Sequence, residues 1–358
     1  MMGTETYVPI LKGKAGEFRA LLELLPDVRG RITPLVDIPR VPLTERTKSL
    51  DSHLDKVIQG IAKSWDTEHP VFVDLFDLDL NARVTNGEHP VHYTLTQLHS
   101  RGVQAVPVVG LERDVAYEHA VRDVVPNVES VVVRLLVEDL EATGSLAPNV
   151  VRILKSVKVD VAQTHLIFDL RSLRDSDISQ HVAIVLRALR ALPMARECAS
   201  LVVTGSTVPQ SLADDVPANS LRRIPRRELD LWRRLRSMPG ITRRLSFGDY
   251  GVVHPDNLDL DPRKITLVAS IRYTTNDALV VVRGKSFKSH PAGYGQYYDL
   301  SKVVVALPDF RGSAFSWGDR QLAARAARTC GPGNKTTWVA IDTSHHLAYV
   351  DDQLQRAA

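Results

Sequence analysis

Aspartates stand at or near the ends of four short apolar runs. They are Asp37 in ITPLVDI, Asp74 in VFVDLFD, Asp169 in THLIFDL and Asp249 in RRLSFGD. A charged group inside a β-type run must be paired, hydrogen-bonded or coordinated to a metal ion, because an isolated buried charge is strongly unfavourable. The four residues therefore need a common explanation, either as a functional site or as members of internal ion pairs.

Basic residues occupy similar positions in other runs. Lys12 and Lys14 follow YVPIL, Arg134 lies within VVVRLL, and Arg171 follows THLIFDL. In a functional site, the aspartates would act as ligands of a hard cation such as Mg²⁺ or as a general base, while Lys12 and Arg134 stabilise a substrate anion. In a structural role, the aspartates would bind Lys12, Arg134 and Arg171 and need no substrate. Both interpretations stay open, and no motif such as HExxH identifies a metal.

The apolar runs alternate with amphipathic stretches, such as 54–65 and 178–192, whose apolar residues recur at helical spacing. Alternating strands and helices predict a parallel sheet covered by helices. Eight such units in about 250 residues match the (β/α)8 barrel; the alternative is an open doubly wound sheet, because a count of strands does not show closure. The runs begin near residues 7, 32, 71, 103, 131, 164, 200 and 243.

Barrel active sites lie at the carboxyl ends of the strands, so a barrel would bring these charged residues together at one mouth. Glu112 and Arg113 follow the fourth run, and the last two runs end in TGST and FGDYG. Glycine-containing turns at these last two positions often bind phosphate through backbone N–H groups. Ser206 and Tyr250 are therefore candidate ligand-binding residues. The basic residues Lys14, Arg134, Arg171 and Arg227 are candidates as well, and the predicted ligand is an anionic small molecule, phosphorylated or nucleotide-like.

We assign residues 1–261 to the barrel and residues 262–358 to an appended C-terminal α+β element. ITLVASIRYTTNDALVVVRGK predicts an antiparallel hairpin, and three mostly helical segments follow it. Asp319 in FSWGDRQ and Asn334 in GPGNKTTW lie where helices are expected to begin. Structural roles suffice for both, although each is also a candidate ligand-binding residue.

An arginine-rich segment, LRRIPRRELDLWRRL at 221–235, suggests a second type of function. Its six arginines, Arg227 among them, match a surface that binds nucleic-acid phosphates. The favoured interpretation is the solvated face of a surface helix whose apolar side carries Leu229, Trp232 and Leu235.

The composition is typical of a soluble globular protein, with 44% hydrophobic and 24% charged residues. A formal charge of +3 permits an anionic partner without requiring one. Cys198 and Cys330 lie far apart and predict buried thiols rather than a disulfide framework. No stretch has the length and apolar character of a membrane span, so we expect a cytoplasmic protein with no membrane partner.

Taken as an ordered series, the motifs YVPILKGKAGE, ITPLVDIP, RRELDLW, GDYG, FSWGD and GNKTTW resemble the prokaryotic and phage "beta protein" family over nearly the whole chain. The resemblance implies a role in phage–host conflict, because bacterial members occur near phage-defence and mobile-element genes. It carries over no catalytic residues. The positions that match the motifs are Lys12, Lys14, Glu17, Asp37, Arg227, Glu228, Trp232, Asp249, Ser316, Asp319, Gly333 and Asn334.

Two hypotheses follow. In the first, the chain is a barrel enzyme that acts on a phosphorylated or nucleotide-like ligand, with Lys12 and the four aspartates as its catalytic residues and metal-assisted phosphoester chemistry as one route. In the second, it is a non-catalytic component of a defence system that binds nucleic acid or a partner protein through the arginine-rich segment. The sequence does not decide whether the chain is an enzyme.

Overall fold

The computed structural model describes residues 6–42, 49–65, 68–174, 177–239, 241, 243–256 and 267–357. Its strands, in chain order, are β1 (Val8–Leu11), β2 (Leu35–Asp37), β3 (Val71–Asp74), β4 (Ala105–Val109), β5 (Val131–Leu136), β6 (Thr164–Ser172), β7 (Ser200–Ser206), β8 (Ser220–Pro225), β9 (Ser246–Asp249), β10 (Val268–Thr274) and β11 (Ala278–Ser286). Its helices are α1 (Ala15–Leu22), α2 (Pro26–Arg29), α3 (Leu50–Ser64), α4 (Pro90–His99), α5 (Val115–Val124), α6 (Val137–Glu141), α7 (Thr143–Val157), α8 (Ile178–Ala191), α9 (Arg227–Arg236), α10 (Gln296–Val305), α11 (Trp317–Ala326) and α12 (Lys335–Ala357).

Eight parallel strands close into a barrel. Their order is β1-β2-β3-β4-β5-β6-β7-β9, and the pairing of Val8 with Gly248 and of Pro9 with Asp249 closes the ring. Each of the eight apolar runs found in the sequence contains one of these strands. The predicted (β/α)8 barrel is therefore confirmed. The alternative, an open doubly wound sheet, is wrong, because an open sheet has two unpaired edge strands whereas β1 and β9 pair with each other here.

The interior of the barrel consists of an apolar layer followed by a charged layer. Residues two apart in a strand point to the same side of the sheet. The residue two positions after each inward-facing core residue therefore also faces the barrel axis. The buried apolar cluster includes Ile10, Leu35, Phe72, Val132 and Ile167. Two residues further along the same five segments stand, in the same order, Lys12, Asp37, Asp74, Arg134 and Asp169.

The helices of the barrel begin at polar caps and bury one apolar face. The side chains of Ser49, Asp114 and Asp177 accept hydrogen bonds from backbone N–H groups in the first turns of α3, α5 and α8. Such caps satisfy donors that have no partner within the helix. The helical spacing of apolar residues places one side of α3 in the core, where it buries Leu54, Val57, Ile58 and Ile61.

Internal contacts group the chain into two compact units. The predicted boundary between residues 261 and 262 lies outside the described residues and stays a prediction. The first unit, which contains the barrel, consists of Met1–Gly13, Arg31–Ser206 and Arg227–Tyr250. The second consists of Lys14–Gly30, Thr207–Arg226 and Gly251–Ala358.

The second unit contains a three-stranded antiparallel sheet in the order β10-β11-β8. Strands β10 and β11 form the predicted hairpin, and α10, α11 and α12 are the three predicted helical segments. Both faces of the sheet are covered. Val280 and Val282 belong to one buried cluster with Trp338, whereas Leu279 and Val281 belong to another on the opposite face.

The arginine-rich segment is not one helix, and that expectation is wrong. Residues 220–225 form β8, which pairs with β11, and the helix α9 begins only at Arg227. Pro225 explains the break, because a proline lacks the N–H donor of a helix interior and disfavours helical geometry in the residue before it. The expected apolar side of the helix is present, since Leu229, Trp232 and Leu235 are buried.

Among the described residues, no helix is long and apolar enough to cross a bilayer. Cys198 is buried and burial raises its pKa to about 11, but Cys330 is only partly buried, so the prediction of two buried thiols is wrong for the second.

The close approach of α11 to α12 gives a first testable prediction. A Cβ atom on Gly318 would lie 2.4 Å from the Ile341 carbonyl oxygen and 2.9 Å from the His345 nitrogen. Both are backbone atoms of α12, so Gly318→Ala must separate the helices, and we expect it to lower the free energy of unfolding by about 1–3 kcal/mol. Chemical denaturation measures this loss.

Gly144→Ala is the matched control. Gly144 lies in α7, and no described atom comes within 4 Å of the position of its added Cβ. We expect this substitution to be neutral or to stabilise by up to about 1 kcal/mol, because alanine favours a helix over glycine. Equal effects of the two substitutions would contradict the proposed packing of Gly318.

Candidate functional site

Arg134 occupies the centre of the charged layer and is 1% exposed. Its Nη1 donates hydrogen bonds to Asp37 Oδ1 and Asp74 Oδ2, each at 2.7 Å. Its Nε donates to Asp169 Oδ2 at 2.9 Å, and its Nη2 donates to the Tyr250 hydroxyl at 2.7 Å. One guanidinium group therefore connects the ends of β2, β3 and β6 and the residue that follows β9.

Asp37 and Asp74 are direct neighbours in the register of β2 and β3. Two adjacent buried carboxylates repel each other unless cations lie between or beside them. Burial alone would raise the pKa of Asp37, but the charges and hydrogen bonds of Arg134 and Lys12 hold it well below its ordinary value. Burial alone would lower the pKa of Arg134, but Asp37 and its other acidic neighbours hold it well above its ordinary value.

Lys12 and Arg113 complete the buried ion pairs. Lys12 Nζ lies 2.7 Å from Asp37 Oδ2, and Arg113 Nη2 lies 2.8 Å from Asp74 Oδ1. The side chains of both cations are at most 5% exposed. Within the barrel, three buried cations therefore meet three buried carboxylates. The cations are Lys12, Arg113 and Arg134, and the carboxylates are Asp37, Asp74 and Asp169.

A tyrosine, Tyr250, and a third arginine, Arg171, adjoin this layer. The Tyr250 hydroxyl donates to Asp169 Oδ2 at 2.5 Å, and burial raises the pKa of Tyr250 well above its ordinary value. Asp249 accepts a hydrogen bond from the Tyr7 hydroxyl at 2.7 Å. Arg171 stands in the left-handed region at φ +54°, and its backbone N–H donates to Asp169 Oδ1 at 2.9 Å. Its guanidinium lies 5.9 Å from the Tyr250 ring.

The geometry favours ion pairs over a metal site for the predicted aspartates. Asp37, Asp74 and Asp169 already accept hydrogen bonds from guanidinium or ammonium groups, which leaves their oxygens poorly placed to coordinate Mg²⁺. Across the ranges that the structure describes, no group of three His, Cys, Asp or Glu residues is arranged to hold a metal ion. The chemistry of these carboxylates is therefore that of anchors for cations.

A pocket of about 250 Å³ opens beside the charged layer, at the carboxyl ends of β3 and β4. One part of its wall is apolar and includes Phe76. Its polar wall is formed by Arg40, Asp79, His89, Glu112, Arg113 and Tyr117. Arg113 is the residue shared with the charged layer, so the pocket and the layer are parts of one site.

Arg113 has one donor without an acceptor. Its Nη1 donates to Glu112 and its Nη2 to Asp74, but no described atom accepts a hydrogen bond from its buried Nε. An unpaired buried donor is unfavourable by about 1–3 kcal/mol. The guanidinium lies 4.7 Å from the Phe76 ring and 5.2 Å from the Tyr117 ring, and these rings fix its position.

Two further residues define the electrostatics of the pocket. Burial and the charge of Arg83 lower the pKa of His89 to about 4, so its imidazole is uncharged at neutral pH. Burial raises the pKa of Glu112, although neighbouring Arg113 acts in the opposite direction. The pocket thus combines fixed cations with a carboxyl group that is easier to protonate than an ordinary glutamate.

Comparisons with known proteins give the family. The model of the Beta protein family matches residues 7–352. The chain belongs to this family. The resemblance found in the sequence is therefore confirmed.

No curated protein matches the chain. One solved structure found by comparison is a mandelate racemase/muconate lactonizing protein from Herpetosiphon aurantiacus, at 14% identity and a TM-score of 0.34. The likeness covers 79% of this chain and 63% of that one.

For this member of the Beta protein family, only part of the predicted site residues lie together. Lys12, Asp37, Asp74, Arg134, Asp169 and Tyr250 meet in the charged layer, and Arg171 lies beside it. Asp249 directly precedes the inward-facing Tyr250 and bonds to Tyr7 instead. Lys14, Asp319 and Asn334 belong to the second unit, whereas Ser206 and Arg227 belong to the barrel unit.

The predicted phosphate turn after β7 has a packing explanation. A Cβ atom on Gly205 would lie 2.7 Å from Leu173 Cδ1, so the absence of a side chain makes room for Leu173. Ser206 is 2% exposed, and its carbonyl oxygen accepts a hydrogen bond from the Leu173 N–H at 2.8 Å.

Asp319 and Asn334 have structural roles within the second unit. Asp319 is buried, accepts hydrogen bonds from Ser316 and Tyr273, and lies 2.9 Å from His345 Nδ1. Asn334 Oδ1 accepts from the Thr337 N–H at 3.0 Å and caps the start of α12. Both residues therefore lie where the motifs predicted helix starts, and their contacts are internal.

The fourth apolar run places Glu112 and Arg113 at the mouth of the predicted barrel. None of the residues that line the pocket is among the predicted site residues. Arg40 follows β2 and Tyr117 lies on α5, so neither is at a strand end. Their shared position depends on the pairing of the neighbouring strands β2, β3 and β4.

The charged layer gives a second testable prediction. Arg134→Met would leave Asp37, Asp74 and Asp169 buried without their shared cation, so we expect a loss of about 3–5 kcal/mol in the free energy of unfolding. Adding Asp169→Asn should recover part of the loss by removing one uncompensated charge.

Arg356→Met is the control for this experiment. Arg356 is 65% exposed and pairs with Asp352, so we expect a change below about 1 kcal/mol. Urea denaturation of all three variants measures the differences. A loss at Arg134 no larger than at Arg356 would show that the layer is not structurally required.

A buried carboxyl group of the second unit gives a third prediction. Burial raises the pKa of Asp342 to about 8, against the lowering effect of Arg272, and no described atom bonds to its Oδ1. Because the folded pKa exceeds the unfolded value, the unfolded state releases this proton first, and stability falls as the pH rises from about 4 to about 8. At about 1.4 kcal/mol per pKa unit, ionising Asp342 in the folded chain costs on the order of 5 kcal/mol.

We therefore expect Asp342→Asn to flatten the dependence of stability on pH and to stabilise the chain at pH 8 relative to the unsubstituted protein. Urea denaturation at pH 5 and pH 8 measures both. Asp123→Asn serves as the control because Asp123 is 54% exposed. If both variants retain the slope of the unsubstituted chain, Asp342 is not the group responsible.

Proposed function

We propose that the chain binds a small anionic ligand, phosphorylated or nucleotide-like, in the pocket at the carboxyl ends of β3 and β4. The observation that carries the proposal is the buried Arg113 guanidinium, which lines this pocket and has an Nε donor with no described acceptor. A ligand oxygen is the simplest acceptor for such a donor. Hydrogen bonds between a guanidinium and an anionic oxygen are also stronger than neutral ones.

The position of Arg113 supports this function because little reorganisation would accompany binding. Asp74 and the rings of Phe76 and Tyr117 already hold the guanidinium. A binding group that is fixed beforehand loses little conformational entropy when the ligand arrives. Arg40 adds a second cation at the exposed side of the pocket, and the apolar wall suits a ligand with a non-polar body.

In this proposal the charged layer positions Arg113 instead of performing chemistry. Lys12, Asp37, Asp74 and Asp169 are engaged with one another and with Arg134, which makes them poor general bases or metal ligands. Metal-assisted phosphoester chemistry at these aspartates is therefore not part of the proposal. The proposal keeps a cytoplasmic location. It also keeps the role in phage–host conflict that the family resemblance implies.

The alternative function is binding of nucleic acid or of a protein by the arginine-rich segment. It has less support, because the arginines are divided between β8 and α9. Arg226, between them, is 3% exposed and donates to the Thr275 carbonyl oxygen and to Gln353. Salt distinguishes the two functions, since binding to many phosphates weakens steeply as salt rises.

The proposal predicts that the chain binds AMP and inorganic phosphate and that Arg40→Gln weakens AMP binding about fivefold, which corresponds to about 1 kcal/mol. Arg40 is exposed, so the fold should be unaffected. Isothermal titration calorimetry measures the affinities.

Arg101→Gln is the matched control, because Arg101 is exposed and contacts Gln97 on α4, outside the pocket. Failure of both probes to bind would refute the proposed function. If Arg40→Gln and Arg101→Gln bind AMP with equal affinity, the binding site lies outside this pocket.

A further inference from the structure

Glu112 is folded back over the end of its own strand. A Cβ atom added to Gly110 would lie 2.6 Å from both Glu112 Oε1 and Oε2, so the carboxyl group occupies the space that a larger residue at 110 would fill. Arg113 Nη1 donates to Glu112 Oε1. The carboxyl group therefore has a defined position in the pocket wall, beside the guanidinium whose Nε lacks an acceptor.

The surroundings of Glu112 oppose its ionisation on balance. Burial is the largest influence and raises its pKa, and the charges of Asp74 and Asp139 act in the same direction. Arg113 is the opposing cation. The other charged or titratable residues that line the pocket are Arg40, Asp79, Tyr117 and the uncharged His89.

We propose that Glu112 is the proton-exchanging residue of this site, taking up a proton when an anion binds beside Arg113 and donating a hydrogen bond to it. This inference rests on the proposed function. An anion at Arg113 would stand next to the Glu112 carboxylate and compete with it for the guanidinium. The bound anion and the Glu112 carboxylate cannot both stay negatively charged beside one guanidinium without a large cost in free energy.

Protonation of Glu112 removes the repulsion and converts its carboxyl group from an acceptor into a donor. The proton comes from solvent, and no covalent bond of the ligand forms or breaks. Affinity for an anion of constant charge must then rise as the pH falls, by up to about tenfold per pH unit when one proton is taken up. A carboxyl group of this kind is also placed to return its proton to the bound ligand, as a general acid does.

Sulfate is the suitable probe, because its charge does not change between pH 5.5 and 8.5, unlike that of phosphate. Isothermal titration calorimetry of the full chain with sulfate, in two buffers of different ionisation heat, gives both the affinity and the number of protons taken up. We expect uptake of up to one proton, and an affinity that decreases as the pH rises. In Glu112→Gln, sulfate should still bind, with no proton uptake and no dependence of affinity on pH.

Two additional variants complete the test. Glu138→Gln makes the same change of charge at an exposed position of α6 outside the pocket, and it should behave like the unsubstituted chain. Gly110→Ala should displace the Glu112 carboxyl group without removing it, and the proton uptake should decrease. Unchanged melting temperatures identify the variants that are folded.

Sulfate binding without proton uptake, or proton uptake that persists in Glu112→Gln, would overturn the inference and leave the proposed function standing. Absence of sulfate binding to the unsubstituted chain at every pH would overturn the inference, and the titrations with AMP and inorganic phosphate would then decide the proposed function. Proton uptake that disappears in Glu112→Gln alone, with binding retained, supports the role of Glu112.

Discussion

The charged layer of the barrel depends on the hydrogen bonds and ion pairs of the buried Arg134 guanidinium. It bridges Asp37 and Asp74, which the register of neighbouring strands forces together, and it also reaches Asp169. Desolvation of these charges is expensive, and an apolar layer of the same volume would often be at least as stable. The network therefore need not be a net source of stability. Its contacts give each of Asp37, Asp74 and Asp169 a cationic partner at the strand ends.

This constraint extends outward through Asp74. One of its oxygens accepts from Arg134 and the other from Arg113, so the carboxylate links the barrel axis to the pocket. Arg113 is in turn shared between Asp74 and Glu112. A ligand that binds Arg113 would therefore contact a guanidinium that the fold already holds in place. Glu112, whose side chain is one-third exposed, is the neighbouring group that can change its protonation state when the ligand binds.

The sequence was sufficient to predict the barrel, because each strand carries a β-branched run and the helices between them have clear apolar faces. It also predicted the charged layer, since Lys12, Asp37, Arg134 and Asp169 interrupt runs that should otherwise be apolar. It did not decide between ion pairs and a metal site, because the types of the residues are the same in both and only distances distinguish them. The pocket was not predictable, because Arg40 and Tyr117 come from separate segments with no pattern that links them. The helix expected at 221–235 forms only from Arg227 onward, because Pro225 disfavours helical geometry in the residue before it.

The contrast between the layer and the pocket also bears on which carboxyl groups can take part in chemistry. A general acid or base must change its protonation state near neutral pH, and the cations around Asp37 hold its pKa far below that range. Glu112 differs because it has one cationic partner, which it shares with Asp74, and because burial shifts its pKa toward neutrality. The cations around Asp37 therefore remove this carboxylate from acid–base chemistry. Asp74 shares Arg113 with Glu112, so Glu112 is only partly neutralised. The same ion pairs that fix the strand ends thus create the conditions for a titratable group at their edge.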